Sequence, residues 1–256
     1  MTGVLASEWL KLRSVRSTWY LLGVAVLFVA LLAGFAFYVV SLWESLPGER
    51  QAAFRAAPPE RIVLLPVQIC AAVLGVLAIT SEYATGTIRT SFAVVPRRGA
   101  VLAGKAAVVV AAALAAGQAS VFATFFAGRA IVGDRPMSPG HLTAVTEEIP
   151  MLLASGLSTV VVALVGLGLG TATRSAAGAV VALSGLLFVL PTVAGVLPAP
   201  WSGRIGSVLL PNLAGQLAGH PSAVGSLSPV GALGVMTAYA VTALGAGALG
   251  LTRRDA

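Results

Sequence analysis

Long apolar stretches separated by short clusters of charge set the pattern of this chain. Residues 19–43, 62–80 and 229–251 carry no Asp, Glu, Lys or Arg, and residues 103–128 carry only Lys105, near their start. Residues 149–197 hold a single charge, Arg174, flanked by Thr171, Thr173 and Ser175. A hydrocarbon core of about 30 Å takes about 20 apolar residues of helix. The block with Arg174 is too long for one crossing and divides into 149–173 and 176–197. An Arg at the bilayer centre costs about 2.5–3.5 kcal/mol on insertion scales, which places Arg174 at the turn of that hairpin. The pattern predicts an all-α polytopic membrane protein with six transmembrane helices, over about 19–43, 62–80, 103–128, 149–173, 176–197 and 229–251, forming one domain across residues 1–256.

Composition agrees. Of 256 residues 57% are hydrophobic and only 10% charged, with a mean hydropathy of +0.94. A soluble domain carries roughly a quarter charged residues. That excludes a soluble enzyme and a disordered chain. The +7 net charge does not point to nucleic acid, because the cations are dispersed among apolar blocks rather than gathered on one face. They instead orient the helices. With the N-terminus inside, the cytoplasmic pieces hold Lys11, Arg13, Arg16, Arg89, Arg97, Arg98, Lys105, Arg174, Arg253 and Arg254, and the external pieces hold Arg50, Arg55, Arg61, Arg129, Arg135 and Arg204. The positive-inside rule then puts both termini in the cytoplasm. Lys11, Arg13 and Arg16 ahead of an apolar run resemble a signal peptide. The run exceeds the usual h-region of about 7–15 residues and no A-x-A site closes it, so it reads as a retained anchor.

Three connecting pieces are more than connectors. In residues 4–16, Leu5, Trp9 and Leu12 recur at i, i+4 and i+7, with Glu8, Lys11 and Arg13 turned away from them. This suits an elbow helix lying in the membrane interface, or ordinary positively charged flanking sequence. After the second span come Glu82, Gly86, Thr87, Arg89, Pro96, Arg97, Arg98 and Lys105, broken by a glycine and a proline that bend or stop helices. Two readings stand: a cytoplasmic helix-turn-helix that docks a soluble partner, with Glu82 and Arg89 two turns apart, or a basic anchor. Residues 198–228 contain apolar runs too short to span, as expected of an external re-entrant or interfacial segment between the last two spans. Pro191 should kink the fifth helix, and Gly166 and Gly170 permit close helix contacts.

Catalytic patterns are thin. Gly99 to Lys105 matches the G-x-x-x-x-G-K of a phosphate loop, but Ala106 stands where Ser or Thr must hold magnesium, and nothing strand-like precedes it. His141 and His220 fall in external loops far from Cys70, which disfavours a His/Cys metal site. Glu147-Glu148 could belong to an intramembrane peptidase, but no histidine lies on a neighbouring span, so they read as the outer end of the fourth helix. Ser184-Gly185 lacks the preceding glycine and buried histidine of a serine protease.

Taken together, the chain resembles a permease subunit of ABC transporters, of the ABC-2 type. The resemblance rests on the basic helix Glu8-Trp9-Leu10-Lys11-Leu12-Arg13, and on the series Glu82…Gly86-Thr87-Ile88-Arg89…Pro96-Arg97-Arg98…Gly104-Lys105. The stretch from Pro198 to Asn212 fits the family's external re-entrant region. The resemblance implies a non-catalytic half-transporter in the cell membrane, working in the outward direction. It implies a separate ABC ATPase subunit that carries ATP and Mg, and a second permease subunit, identical or a sister. The coupling role would fall to Glu82, Gly86, Thr87, Arg89, Pro96, Arg97, Arg98 and Lys105, with Glu8, Trp9, Lys11 and Arg13 on the elbow helix. No cofactor is expected on this chain, and membrane lipid rather than nucleic acid is its surrounding partner. The competing classes are an intramembrane enzyme such as a peptidase, and a non-transporting scaffold or sensor subunit.

Overall fold

A computed structural model describes residues 2–88, 98–137, 144–220 and 226–253. Among the described residues the fold is helical and no strand occurs. In chain order the helices are α1 (Thr2–Ser14), α2 (Arg16–Glu44), α3 (Gly48–Ala53), α4 (Pro59–Thr85), α5 (Arg98–Val132), α6 (Val145–Thr173), α7 (Ala176–Ser184), a π-helical turn (Gly185–Val189), α8 (Leu190–Gly195), α9 (Trp201–Val208), α10 (Leu210–Leu217) and α11 (Pro229–Arg253). Six of these are long and apolar enough to cross a membrane, counting α7 through α8 as one. The protein is a multi-pass membrane protein.

The apolar runs set where the spans lie, and local chemistry sets where they stop. Val15, in extended conformation, separates α1 from α2, so Arg16 opens the first span rather than closing the preceding helix. Gly86 ends α4 with φ 72°, a left-handed conformation open to glycine and costly for most other residues. Arg174 caps α6 with φ 55° and Ser175 accepts a bond from the Gly178 backbone N–H, so the hairpin turns where the single charge sits. Pro191 follows the π turn: its ring cannot sit against an α-helical carbonyl one turn back, and widening the helix makes room.

The hub is α6, which packs against α4, α5 and α11. It approaches α4 through glycines. A side chain at Gly75 would drive into the Ala163 carbonyl, and one at Gly166 into that of Ala72, so the contact is reciprocal. Gly170 faces Val76 and Ile79 of the same helix, as its spacing with Gly166 suggested. On the other side Gly168 meets Ala243, and Gly247 meets Thr171, of α6 and α11. Without a hydrophobic driving force between helices in lipid, close backbone approach is what holds them. Gln68 adds one buried bond across the α4–α6 contact, donating to Ser158 Oγ at 2.8 Å.

Candidate functional site

The residues singled out on the two connecting pieces meet at one end of the bundle. Glu8 and Lys11 lie one turn apart on α1; Glu82 is in the last turn of α4; Lys105 is in the second turn of α5. Lys105 Nζ donates to Glu8 Oε2 at 2.6 Å and to Glu82 Oε1 at 2.6 Å. Lys11 Nζ donates to Glu8 Oε1 at 2.8 Å and to Glu82 Oε1 at 2.9 Å. Two carboxylates and two ammonium groups thus balance, on three helices far apart in sequence.

Burial makes this joint matter. Lys105 is 2% exposed, Glu8 5% and Glu82 7%. Exposed ion pairs contribute almost nothing, whereas removing one partner from a buried one leaves an uncompensated charge and costs about 3–5 kcal/mol. Lys11 is the half-exposed member. Burial pushes its ammonium down, but the hydrogen bonds and charges of Glu8 and Glu82 outweigh that and hold its pKa above the ordinary 10.5. One acceptor is left over: Glu82 Oε2 is buried and has no hydrogen-bond partner among the described residues.

Glu8 turns away from Leu5 and Trp9, which are exposed, and is buried against the bundle, while Leu12, the third member of that stripe, packs on the core. The reason is the pairing with Lys105, together with the seat beside it: Gly104 has no side chain where Val4 of α1 rests, and a Cβ there would lie 2.8 Å from Val4 Cγ1. The Gly104-Lys105 pair is therefore one device, a gap for α1 and a charge to hold it. Arg13 is exposed, and its carbonyl accepts from Trp19 Nε1 at 2.9 Å.

Gly86 and Thr87 lie just past the joint, where Thr85 and Thr87 hydroxyls share a 2.9 Å bond. Glu82 stands on the span helix itself and faces inward. Arg89, Pro96 and Arg97 lie outside the described residues, as does the side chain of Arg98, which opens α5. The Gly99 to Lys105 stretch is helical throughout and forms no phosphate-cradling loop. Glu147 and Glu148 sit in the first turn of α6, where carboxylates favour the positive end of the helix. His141 lies outside the described residues.

Two further features surround the joint. Beside it runs a cleft of about 280 Å³ between the α1–α2 corner and the facing sides of α4 and α5. At the same end Arg174 stacks over the Tyr83 ring at 5.5 Å and reaches the Gly250 carbonyl, linking the α6–α7 turn to α4 and α11. Sequence reasoning missed the Glu8–Lys105 pairing. The signal available was a lone acid in a basic helix and a lone lysine one turn inside an apolar one.

The joint consists of opposite charges that hold three helices together. The profile of a family described as an ABC-2 family transporter protein matches residues 4–191, which takes in α1, the joint, the first four spans and most of the fifth. No curated protein matches the chain.

Proposed function

The chain belongs to the ABC-2 family of transporter proteins, and from that premise we propose that it is the permease subunit of an ATP-driven exporter in the cell membrane, forming the translocation path and receiving force from a separate ATPase subunit. Both termini face the cytoplasm, α1 lies in the interface as the elbow, and a second permease subunit completes the path. ATP and Mg belong to the partner chain. The coupling surface comprises α1 and the segment from Gly86 to Arg98, including Arg89, Pro96 and Arg97. The α9–α10 pair forms the external re-entrant segment, braced by Gln216, which donates to the Ser207 carbonyl and accepts from Leu227 N–H.

One observation carries this reading: the four-membered ion cluster ties α1 to the ends of α4 and α5. A displacement of α1 or of the 86–98 segment is thereby delivered to α4, and through its glycine contact to the hub α6. Nucleotide on the partner can bias the helix bundle only through such differential contacts.

The test is reconstitution with its ATPase partner. Arg89→Glu and Arg97→Glu should insert normally yet lose stimulation of ATP hydrolysis by the permease. Normal coupled export in both variants would remove the mechanism. Cysteines placed at Arg97 and Pro136 should label from opposite membrane faces; labelling from one face would overturn the orientation.

A further inference from the structure

The cleft beside the joint has an apolar floor, Leu21, Leu74, Leu77 and Val108 among its residues, and Glu82 at its polar end. Of the four carboxylate oxygens in the cluster, three accept from lysines and Glu82 Oε2 accepts from nothing among the described residues, although the residue is more than nine-tenths buried. A buried acceptor left without a donor costs about 1–3 kcal/mol, so a group that supplies one gains by binding there. Its charge is constrained. Among the described residues the cluster's four charges sum to zero. An anionic head would face the carboxylates, and a cationic head would add an unbalanced charge beside Lys11 and Lys105. An uncharged O–H donor satisfies the oxygen without disturbing the balance. Size is constrained too: about 280 Å³ is near the lower end of ligand pockets, which start at about 300 Å³, and suits one chain rather than two.

We propose that this cleft is a binding site for a neutral, hydroxyl-headed, single-chain lipid drawn from the adjoining leaflet, with its hydroxyl donating to Glu82 Oε2 and its chain lying against Leu74, Leu77 and Val108. The occupant bridges the α1–α2 corner and the α4–α5 pair, so it sits where α1 would move. The site rests on the cleft and the unpartnered oxygen, not on coupling to an ATPase, and it stands or falls separately from the exporter reading.

The experiment uses the full chain in phosphatidylcholine nanodiscs with a 1-monoacylglycerol bearing a photoactivatable diazirine in its chain, followed by peptide mapping. Labelling is expected to concentrate on residues 17–21, 74–78 and 108–109. Unlabelled 1-monoacylglycerol should compete, whereas its 2,3-di-O-methyl ether and the fatty acid of equal chain length should compete at least about tenfold more weakly, the loss expected for a hydrogen bond to a charged acceptor. Ala78→Phe, which fills the cleft, should cut labelling at least about fivefold. The competition series needs only the unaltered protein, so it decides the matter even if that variant does not fold. Equal competition by the ether, or labelling spread evenly over the lipid-facing surfaces of α2 and α11, would overturn the proposal. So would the absence of specific labelling, which would leave water as the partner of Glu82.

Discussion

Helices α2 and α6 are both 29 residues long and both strongly apolar, yet they occupy opposite places. The most apolar stretch of α6 is 78% buried inside the bundle and that of α2 only 17%. Hydropathy therefore does not decide which of the two is central. Side-chain size at the contacts separates them. The buried face of α6 offers Gly156, Ser158, Thr159, Gly166, Gly168 and Gly170, and its glycines sit against neighbouring side chains and backbone. The surface of α2 carries Trp19, Tyr20, Phe35, Phe37 and Tyr38, all exposed, and its Gly23 and Gly34 face open space. In lipid a large apolar side chain gains nothing by facing another helix, so the small ones mark the interior. The α1 joint holds by a third means: there, charges fix the position of a helix.

The comparison breaks most visibly at Gly75. Gly75→Leu places a branched side chain where α4 and α6 touch backbone to backbone, and loss of folded protein is expected in detergent, read as aggregation on size-exclusion chromatography. Lys105→Met comes next. It leaves Glu8 and Glu82 buried with only half-exposed Lys11 between them, and a loss of about 3–5 kcal/mol is expected in the unfolding equilibrium. Gln68→Leu removes the side-chain bond to Ser158 and should cost only about 0.6 kcal/mol, the average for such bonds in membranes.

The contribution of Lys11 is smaller and depends on pH. Its folded pKa lies above 10.5, so the stability it lends is complete below that value and is lost as pH climbs through the folded value. The thermal midpoint should be flat from about pH 7 to about pH 9 and fall more steeply above pH 10.5 in the native protein than in Lys11→Met. Gly34→Leu closes the series. It sits on the open face of α2 and should leave the midpoint unchanged; a loss as large as that at Gly75 would show that small residues do not distinguish the interior.

Much of this was readable in the sequence, because the membrane imposes length and apolarity on every crossing. The six spans follow from the apolar runs, and the turn at Arg174 and the stop at Gly86 each follow from one residue at a definite place. The Gly166–Gly170 spacing pointed toward a close contact, but 29 glycines made it weak by itself. That Glu8 faces the bundle was not legible. Leu5, Trp9 and Leu12 form the regular stripe, and the distant Lys105 helps to turn Glu8 inward. A pairing across 97 positions leaves no periodic trace in either helix. The closeness of Glu8, Lys11, Glu82 and Lys105 was hidden for the same reason, although each had drawn attention separately.

The central claim is that Glu8 and Lys105 act as one unit holding α1 to the bundle. A double-mutant cycle with Glu8→Gln and Lys105→Met, read in the unfolding equilibrium of the full chain, tests it most directly. Each single change leaves a net charge buried, whereas the double variant leaves Lys11 balanced by Glu82. The account predicts a double variant about as stable as the milder single one, with a coupling energy of at least about 1.5 kcal/mol. Strictly additive losses would contradict it.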